Sequence, residues 1–180
     1  MENMKHSLFR TLILLMMTFV GATALNAQTT DDAGIAEEDR TSALVYEFNN
    51  DFDIVFEGIR QGLDAAGYEV GYASKRKKLI ESKFKILTPE GSDFFDIMEQ
   101  YGEIPYIRSP SWRSGRVLIT TRLEETGSGT ILVTVTAELS AFEERFQNNW
   151  IYWNSNGILE EEVLGTIITA VQETAEGSDL

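Results

Sequence analysis

Apolar residues recur along the chain at two spacings, and each spacing marks one kind of element. Phe52, Val55, Phe56, Ile59, Leu63 and Ala66 follow one another at three- and four-residue intervals, the repeat of a one-sided helix, and the run stops at Gly67. Ile158 to Glu173 repeats it through Leu159, Val163, Leu164, Ile167, Ile168 and Val171. Glu160, Glu161 and Glu162 fall in the first turn of that second helix, where the helix dipole favours acidic side chains.

Between these helices the period drops to two. Val117, Ile119, Thr121 and Leu123 alternate with Arg116, Leu118, Thr120 and Arg122, Thr126-Gly127-Ser128-Gly129 makes a turn, and Ile131, Val133, Val135, Ala137 and Leu139 resume the alternation. An earlier pair of strands is predicted over Tyr68 to Ala73 and Leu79 to Leu87, joined by the charged turn Lys75 to Lys78. In its second strand Ile80, Phe84 and Ile86 share one face and Glu81, Lys83 and Lys85 the other, which predicts one wet side. Ala43 to Phe48 reads as a short first strand, and Asn49, Asn50 and Asp51 supply turn and cap chemistry.

The predicted order is therefore β-α-β-β-β-β-α. An antiparallel sheet of about five strands must bury one face, and the two amphipathic helices are the elements able to cover it, so the fold class is two-layer α+β. Residues 42–175 form this single domain, with an insertion at 88–114 and a tail at 176–180. In the insertion, Ser92 is placed to cap a short helix over Asp93 to Tyr101, and a long loop carrying Tyr106 and Trp112 follows. The segment RFQNNWIYWNSNG, Arg145 to Gly157, reads as the connection from the last strand to the closing helix, with Trp150, Tyr152 and Trp153 wedging that helix onto the sheet.

The N-terminus has a different character. Lys5, His6 and Arg10 precede the apolar run Leu12 to Val20, and Gly21, Ala22 and Ala24 lead to a cleavage site near Ala27, the layout of a secretory signal peptide. Its apolar core is shorter than the roughly 20 residues of a spanning helix. The expectation is an exported chain, periplasmic or secreted, with no transmembrane segment after cleavage. Residues 28–41 are polar and acidic, without periodicity, and read as a flexible linker.

Charge and residue inventory narrow the chemistry. The net charge is −14, and it becomes more negative once residues 1–27 are removed. Such a surface argues against a nucleic-acid partner, because phosphate binding relies on basic surface. The only histidine is His6 and there is no cysteine. The mature chain thus has no Ser-His-Asp or Cys-His nucleophile system, no imidazole base and no ordinary zinc site. No cofactor motif is present. Ser74-x-x-Lys77 and Ser82-x-x-Lys85 match a penicillin-binding pattern, but they fall in a predicted hairpin where a helical turn is needed. Glu143-Glu144 and Glu160 to Glu162 lack the spacing of a calcium loop or a distinctive glycosidase pair. The expectation is a protein that is not an enzyme.

Three short motifs fix a resemblance. Phe56-Glu57-Gly58-Ile59 lies in the first helix, Gly67-Tyr68-Glu69-Val70 follows it, and Lys77-Lys78-Leu79-Ile80 opens the next strand. Together with the later hairpin and closing helix, this pattern resembles the helix-grip domains of the C lipoprotein of the outer-membrane β-barrel assembly machinery and related periplasmic lipoproteins. The resemblance covers most of residues 43–173 and implies architecture and an envelope setting. It brings no catalytic residues, and the chain departs from the lipoprotein pattern in having no cysteine to acylate.

Two groups remain as candidate binding residues. Tyr106, Trp112, Trp150, Tyr152 and Trp153 either plug the open end of the core or line a mouth that takes an apolar ligand. Lys75, Arg76, Lys77 and Lys78 form either a solvated turn beside an outer strand or a patch for an anionic partner. The functional expectation is a binding or assembly module of the cell envelope with a protein partner. The alternative is a carrier of a small apolar ligand in a cavity beneath the C-terminal helix, which requires roughly 300 Å³ or more.

Overall fold

In the computed structural model, residues 42–87 and 94–178 are described. The expected signal peptide and linker, the expected Ser92 cap and the rest of residues 88–93 lie outside them. The chain runs β1 (Ala43–Phe48), α1 (Phe52–Ala65), β2 (Val70–Ser74), β3 (Leu79–Ser82), β4 (Lys85–Leu87), α2 (Phe94–Tyr101), β5 (Gly102–Glu103), β6 (Trp112–Glu125), β7 (Ile131–Glu143), β8 (Asn149–Ser155) and α3 (Ile158–Ser178). The fold is α+β in two layers: an antiparallel sheet with helices on one face.

The β6–β7 hairpin is the spine of the sheet, and its alternation decides which face is core. Val117, Ile119, Thr121 and Leu123 of β6 and Val133, Val135, Ala137 and Leu139 of β7 are buried, while the residues alternating with them are only partly covered or exposed. The strand order is β2-β3-β6-β7-β8-β5, with β4 also beside β6 and β1 also beside β7. β1 and β8 share one edge of β7: β1 pairs with Ile131 to Thr136, and β8 pairs with Leu139 to Glu143.

Glu160 occupies the break between them. The helix dipole is a sufficient reason for an acidic residue at this position, but this one is fully buried. Its Oε1 accepts the backbone N–H of Ala137 at 3.2 Å and its Oε2 the hydroxyl of Ser155 at 2.7 Å. The carboxylate stands in for the strand that β7 lacks at this point, satisfying an amide that burial would otherwise leave without a partner.

The helices cover the core face as a close pair. Val55, Phe56, Ile59 and Leu63 of α1 and Leu159, Val163, Ile167 and Val171 of α3 are buried between them and the sheet. Gly58 and Gly62 lie where α1 meets α3. A Cβ on Gly58 would stand 2.7 Å from Val171 Cα, and one on Gly62 would stand 2.6 Å from Ile167 Cα. The Thr166 hydroxyl donates to the Gly62 carbonyl at 3.1 Å across this contact.

The described residues form eight strands against the predicted five, and their third helix, α2, is the short helix expected within the insertion; each difference in the strands has a local cause. The predicted strand over Leu79 to Leu87 is broken. Between the pair Glu81–Thr120 and the pair Lys85–Val117, this strand advances four residues while β6 advances three. One extra residue is a bulge, and it exchanges the two faces of everything beyond it. Ile80 is buried as expected, but Phe84 and Ile86 are exposed instead of sharing its face. At the bulge the Ser82 hydroxyl donates to Lys83 O at 2.9 Å and accepts the buried Ile119 N–H at 2.9 Å.

Elsewhere the insertion is shorter than expected. β6 begins at Trp112 because β7 continues to Glu143 and gives it a partner. The helix within the insertion becomes a third covering element, burying Phe94 and Met98. The Trp-rich segment is a strand, β8, and not a connection. The expected tail is helical through Ser178, where the Thr174 and Ser178 hydroxyls donate to the carbonyls of Ala170 and Thr174.

Substitution Gly62→Ala is expected to lower stability by about 1–3 kcal/mol, because the methyl group would overpack a backbone contact. Helix propensity alone would give the opposite sign, a gain of up to about 1 kcal/mol. Denaturant unfolding distinguishes the two, and a stabilised variant would refute the close contact.

Candidate functional site

The aromatic candidates do not form one cluster. β8 sends Trp153 to the core face and Trp150 and Tyr152 to the opposite face, as strand alternation requires. Trp153 is 2% exposed and meets Trp112 edge-on at 5.5 Å and Phe95 at 6.0 Å. Edge-to-face pairs of this kind contribute about 0.5–1.5 kcal/mol each beyond their burial. The Trp153 indole N–H is buried and has no hydrogen-bond partner among the described residues. These rings fasten α2 to the sheet. Tyr106, in the segment between β5 and β6, is 95% exposed and joins neither group.

On the opposite face, among the described residues, no helix covers the sheet. Ile86, Arg116, Ser140 and Tyr152 form one row across β4, β6, β7 and β8. The Arg116 guanidinium lies 4.2 Å from the Phe84 ring centroid and 4.1 Å from that of Trp150, and its Nε donates to the buried Ser140 hydroxyl at 2.8 Å. Phe142 extends the stack, edge-on to Trp150 at 5.6 Å. A guanidinium held between two rings and anchored through Nε has few rotamers left to lose on binding, while its Nη edge has no partner among the described residues.

The basic turn is largely engaged within the domain. Lys75 pairs with Asp53 at 2.7 Å and Lys78 with Glu125 at 3.0 Å, and the Lys77 ammonium sits 5.5 Å from the Tyr72 ring centroid. Lys83 pairs with Glu69. These are exposed contacts of small energy, and among the described residues Arg76 is the one of the four with no ion pair or ring contact. The turn is a weaker candidate than the sheet face.

Glu143, at the end of β7, is fully buried. Its Oε1 accepts the backbone N–H groups of Ser111 at 3.1 Å and Arg145 at 2.9 Å, and its Oε2 those of Phe146 and Gln147, each at 2.8 Å. Burial raises its pKa, but the four amides favour the ionised form more strongly and hold it down to about 2. This carboxylate shapes the loop that leads into β8 and ties it to the strand entry at Ser111. It is occupied with backbone amides and not poised for acid–base chemistry.

On the core side a cleft of about 290 Å³ opens beneath the first half of α3. Leu87, Ile97, Val117, Leu159 and Val163 supply apolar walls, and Tyr68, Tyr101, Lys85 and Glu162 the polar groups. The Tyr101 hydroxyl donates to Glu162 at 2.8 Å. Burial first, then this bond and the Glu162 charge, push Tyr101 up to about 12. None of Tyr106, Trp112, Trp150, Tyr152 and Trp153 lines the cleft.

Arg116, Phe84 and Tyr68 were thus absent from the sequence-derived candidates. Arg116 reads as an ordinary polar-phase residue of a strand, and Phe84 as core; only the bulge brings them together. Tyr68 had a usable signal, an amphipathic ring directly after a helix-ending glycine. Among the described residues, no group of three or more His, Cys, Asp or Glu side chains is placed to hold a metal ion, and no helix is long and apolar enough to cross a membrane. No protein-family model matches the chain, and no curated protein matches it.

The Glu143 cage has a definite pH signature. A carboxylate with a depressed folded-state pKa contributes stability above its unfolded value, here 4.5, and loses it as pH falls through about 2. Glu143→Gln is expected to be less stable at neutral pH, since a neutral amide cannot accept four N–H donors as a carboxylate does. The gap between the two proteins should close between pH 4.5 and 2 in thermal melts. A gap that persists unchanged to pH 2 would exclude this role.

Proposed function

We propose that this protein is a non-enzymatic binding or assembly module of the cell envelope, which engages a protein partner through the uncovered face of its sheet. The observation that carries the reading is the Arg116 guanidinium clamped between Phe84 and Trp150. Trp, Tyr and Arg are the residues most enriched among the few that dominate interface energies, and preorganised side chains lose little entropy on association. Ile86 at 52% exposure and Tyr152 at 49% flank the clamp and extend an apolar surface around one charge. The matching partner surface is apolar with a carboxylate at its centre, which the free Nη edge receives as a two-bond pair. The apolar N-terminal run supports export, and the absence of cysteine together with a single histidine, His6, supports a role without nucleophilic catalysis. The resemblance to helix-grip envelope domains points in the same direction.

A second reading, a carrier of a small ligand, is favoured by one specific observation, the cleft beneath α3. Its volume of about 290 Å³ lies at the lower edge of ligand-sized pockets.

A photo-crosslinking residue placed at Ile86 in cells that make the protein is expected to capture a discrete partner, and one placed at Asp64 on exposed α1 is not. Trp150→Ala or Arg116→Ala should reduce the Ile86 adduct about ten-fold or more while the thermal midpoint stays near that of the parent. Equal capture from both positions, or an adduct indifferent to both substitutions, would sink the sheet-face reading.

A further inference from the structure

The end of α1 delivers one side chain to the cleft with unusual definition. Gly67 takes a φ of 78°, its N–H bonds to Asp64 O at 2.9 Å, and the Tyr68 N–H bonds back to Leu63 O at 2.8 Å. This closing pattern, with a left-handed residue just past the helix, fixes the direction in which the Tyr68 ring leaves the backbone. The ring is 7% exposed and lines the cleft, yet its hydroxyl makes no hydrogen bond to a described residue. The Tyr68 hydroxyl is not among the fully buried unpartnered groups of the described residues, so it opens onto the cleft. Burial, followed by the nearby Tyr101 and the Glu162 charge, pushes Tyr68 up to about 12, so at neutral pH the hydroxyl keeps its proton and is available as a donor.

The charges around that hydroxyl select the ligand. The Lys85 ammonium lies 4.8 Å from the Tyr68 ring centroid, and Glu162 holds the Tyr101 hydroxyl at 2.8 Å. Both charges line the cleft, so an anionic head group shares it with the Glu162 carboxylate and a cationic one with the Lys85 ammonium. A neutral oxygen meets neither penalty and accepts the free Tyr68 proton. Behind it, Leu87, Val117, Leu159 and Val163 offer a hydrocarbon-lined floor, and a volume of about 290 Å³ admits only a short chain.

We propose that the cleft binds a small neutral amphiphile, whose hydroxyl or carbonyl oxygen accepts a hydrogen bond from Tyr68 and whose short apolar body lies between α3 and the sheet. This rests on the carrier reading of the cleft and narrows it from an apolar ligand to one with a neutral polar end. The site is on the core side of the sheet, opposite the face that carries Arg116.

Backbone-amide NMR titrations of the domain with octanol, octanoate and octylammonium test it, since the three share a chain and differ in head charge. Octanol is expected to shift the amides around Ala66, Tyr68 and Val163 and to bind at least ten-fold more tightly than either charged probe. Tyr68→Phe removes a hydroxyl that holds nothing else in place, so the fold should persist while octanol affinity falls several-fold, up to about ten-fold. Ala66→Phe, which fills the cleft from its rim, should abolish the shifts. If none of the probes shifts these amides, the carrier reading fails and this inference with it. If a charged probe binds as tightly as octanol, or octanol is indifferent to Tyr68→Phe or Ala66→Phe, this inference fails alone.

Discussion

The Cβ atoms that Gly58 and Gly62 lack define the space in which α3 lies against α1. With side chains there, the helix axes would have to separate, and the Val171 and Ile167 backbone would lift away from the sheet. Because the two helices are so close, they make a narrow slab that covers only part of the long β6–β7 hairpin. The remainder of the core face needs a third cover, and α2 provides it with Phe94, Met98 and the Phe95–Trp153–Trp112 ring contacts. The cleft lies where these covers meet. α1 stops at Ala65, α3 continues past it, and α2 approaches from the other end without filling the space between.

Two buried carboxylates hold the sheet where its ladder is interrupted. Glu160 takes the Ala137 N–H in the break between β1 and β8, and Glu143 gathers four amides where β7 turns toward β8. Among the described residues neither is ion-paired; Glu143 accepts only backbone amides, and Glu160 one amide and one hydroxyl. In a strongly acidic chain this is economical, since the attraction comes from fixed amide dipoles and needs no scarce lysine or arginine. The most buried members of both acidic runs are already saturated by structural donors.

Features that repeat over many residues were legible in the sequence. The alternation of Val117 to Leu123 and of Ile131 to Leu139, and the apolar faces of both long helices, predicted the two-layer α+β class because each signal is the sum of many like placements. Features that depend on one residue or on distant partners were not. β8 was read as a connection because its asparagines suggest turns, although Trp150-Ile151-Tyr152-Trp153 has strong strand propensity and both of its faces are apolar. Gly58 and Gly62 stand four apart in the sequence, but only the approach of α3 gives that spacing its meaning. The Arg116 stack joins the bulge before β4 to β6 and β8, and nothing local to any one of them announces it.

The bulge after Glu81 links these observations. Had the alternation of Leu79 to Leu87 continued unbroken, Phe84 and Ile86 would have followed Ile80 into the core, and Lys85 would have joined Glu81 on the outer face. The added residue reverses all three. It puts Phe84 against Arg116, exposes Ile86 beside it, and turns Lys85 inward to the Tyr68 ring at the rim of the cleft. The Ser82 hydroxyl makes the irregularity tolerable by accepting the buried Ile119 N–H that a regular strand carbonyl would have taken. Both proposed surfaces, one on each face of the sheet, therefore depend on a single departure from regular pairing. A departure of that kind raises local cost without improving the core, and bulges concentrate where a sheet must re-aim a side chain. The position of this one, between an aromatic clamp and a polar-rimmed cleft, is the physical reason to look for binding at both.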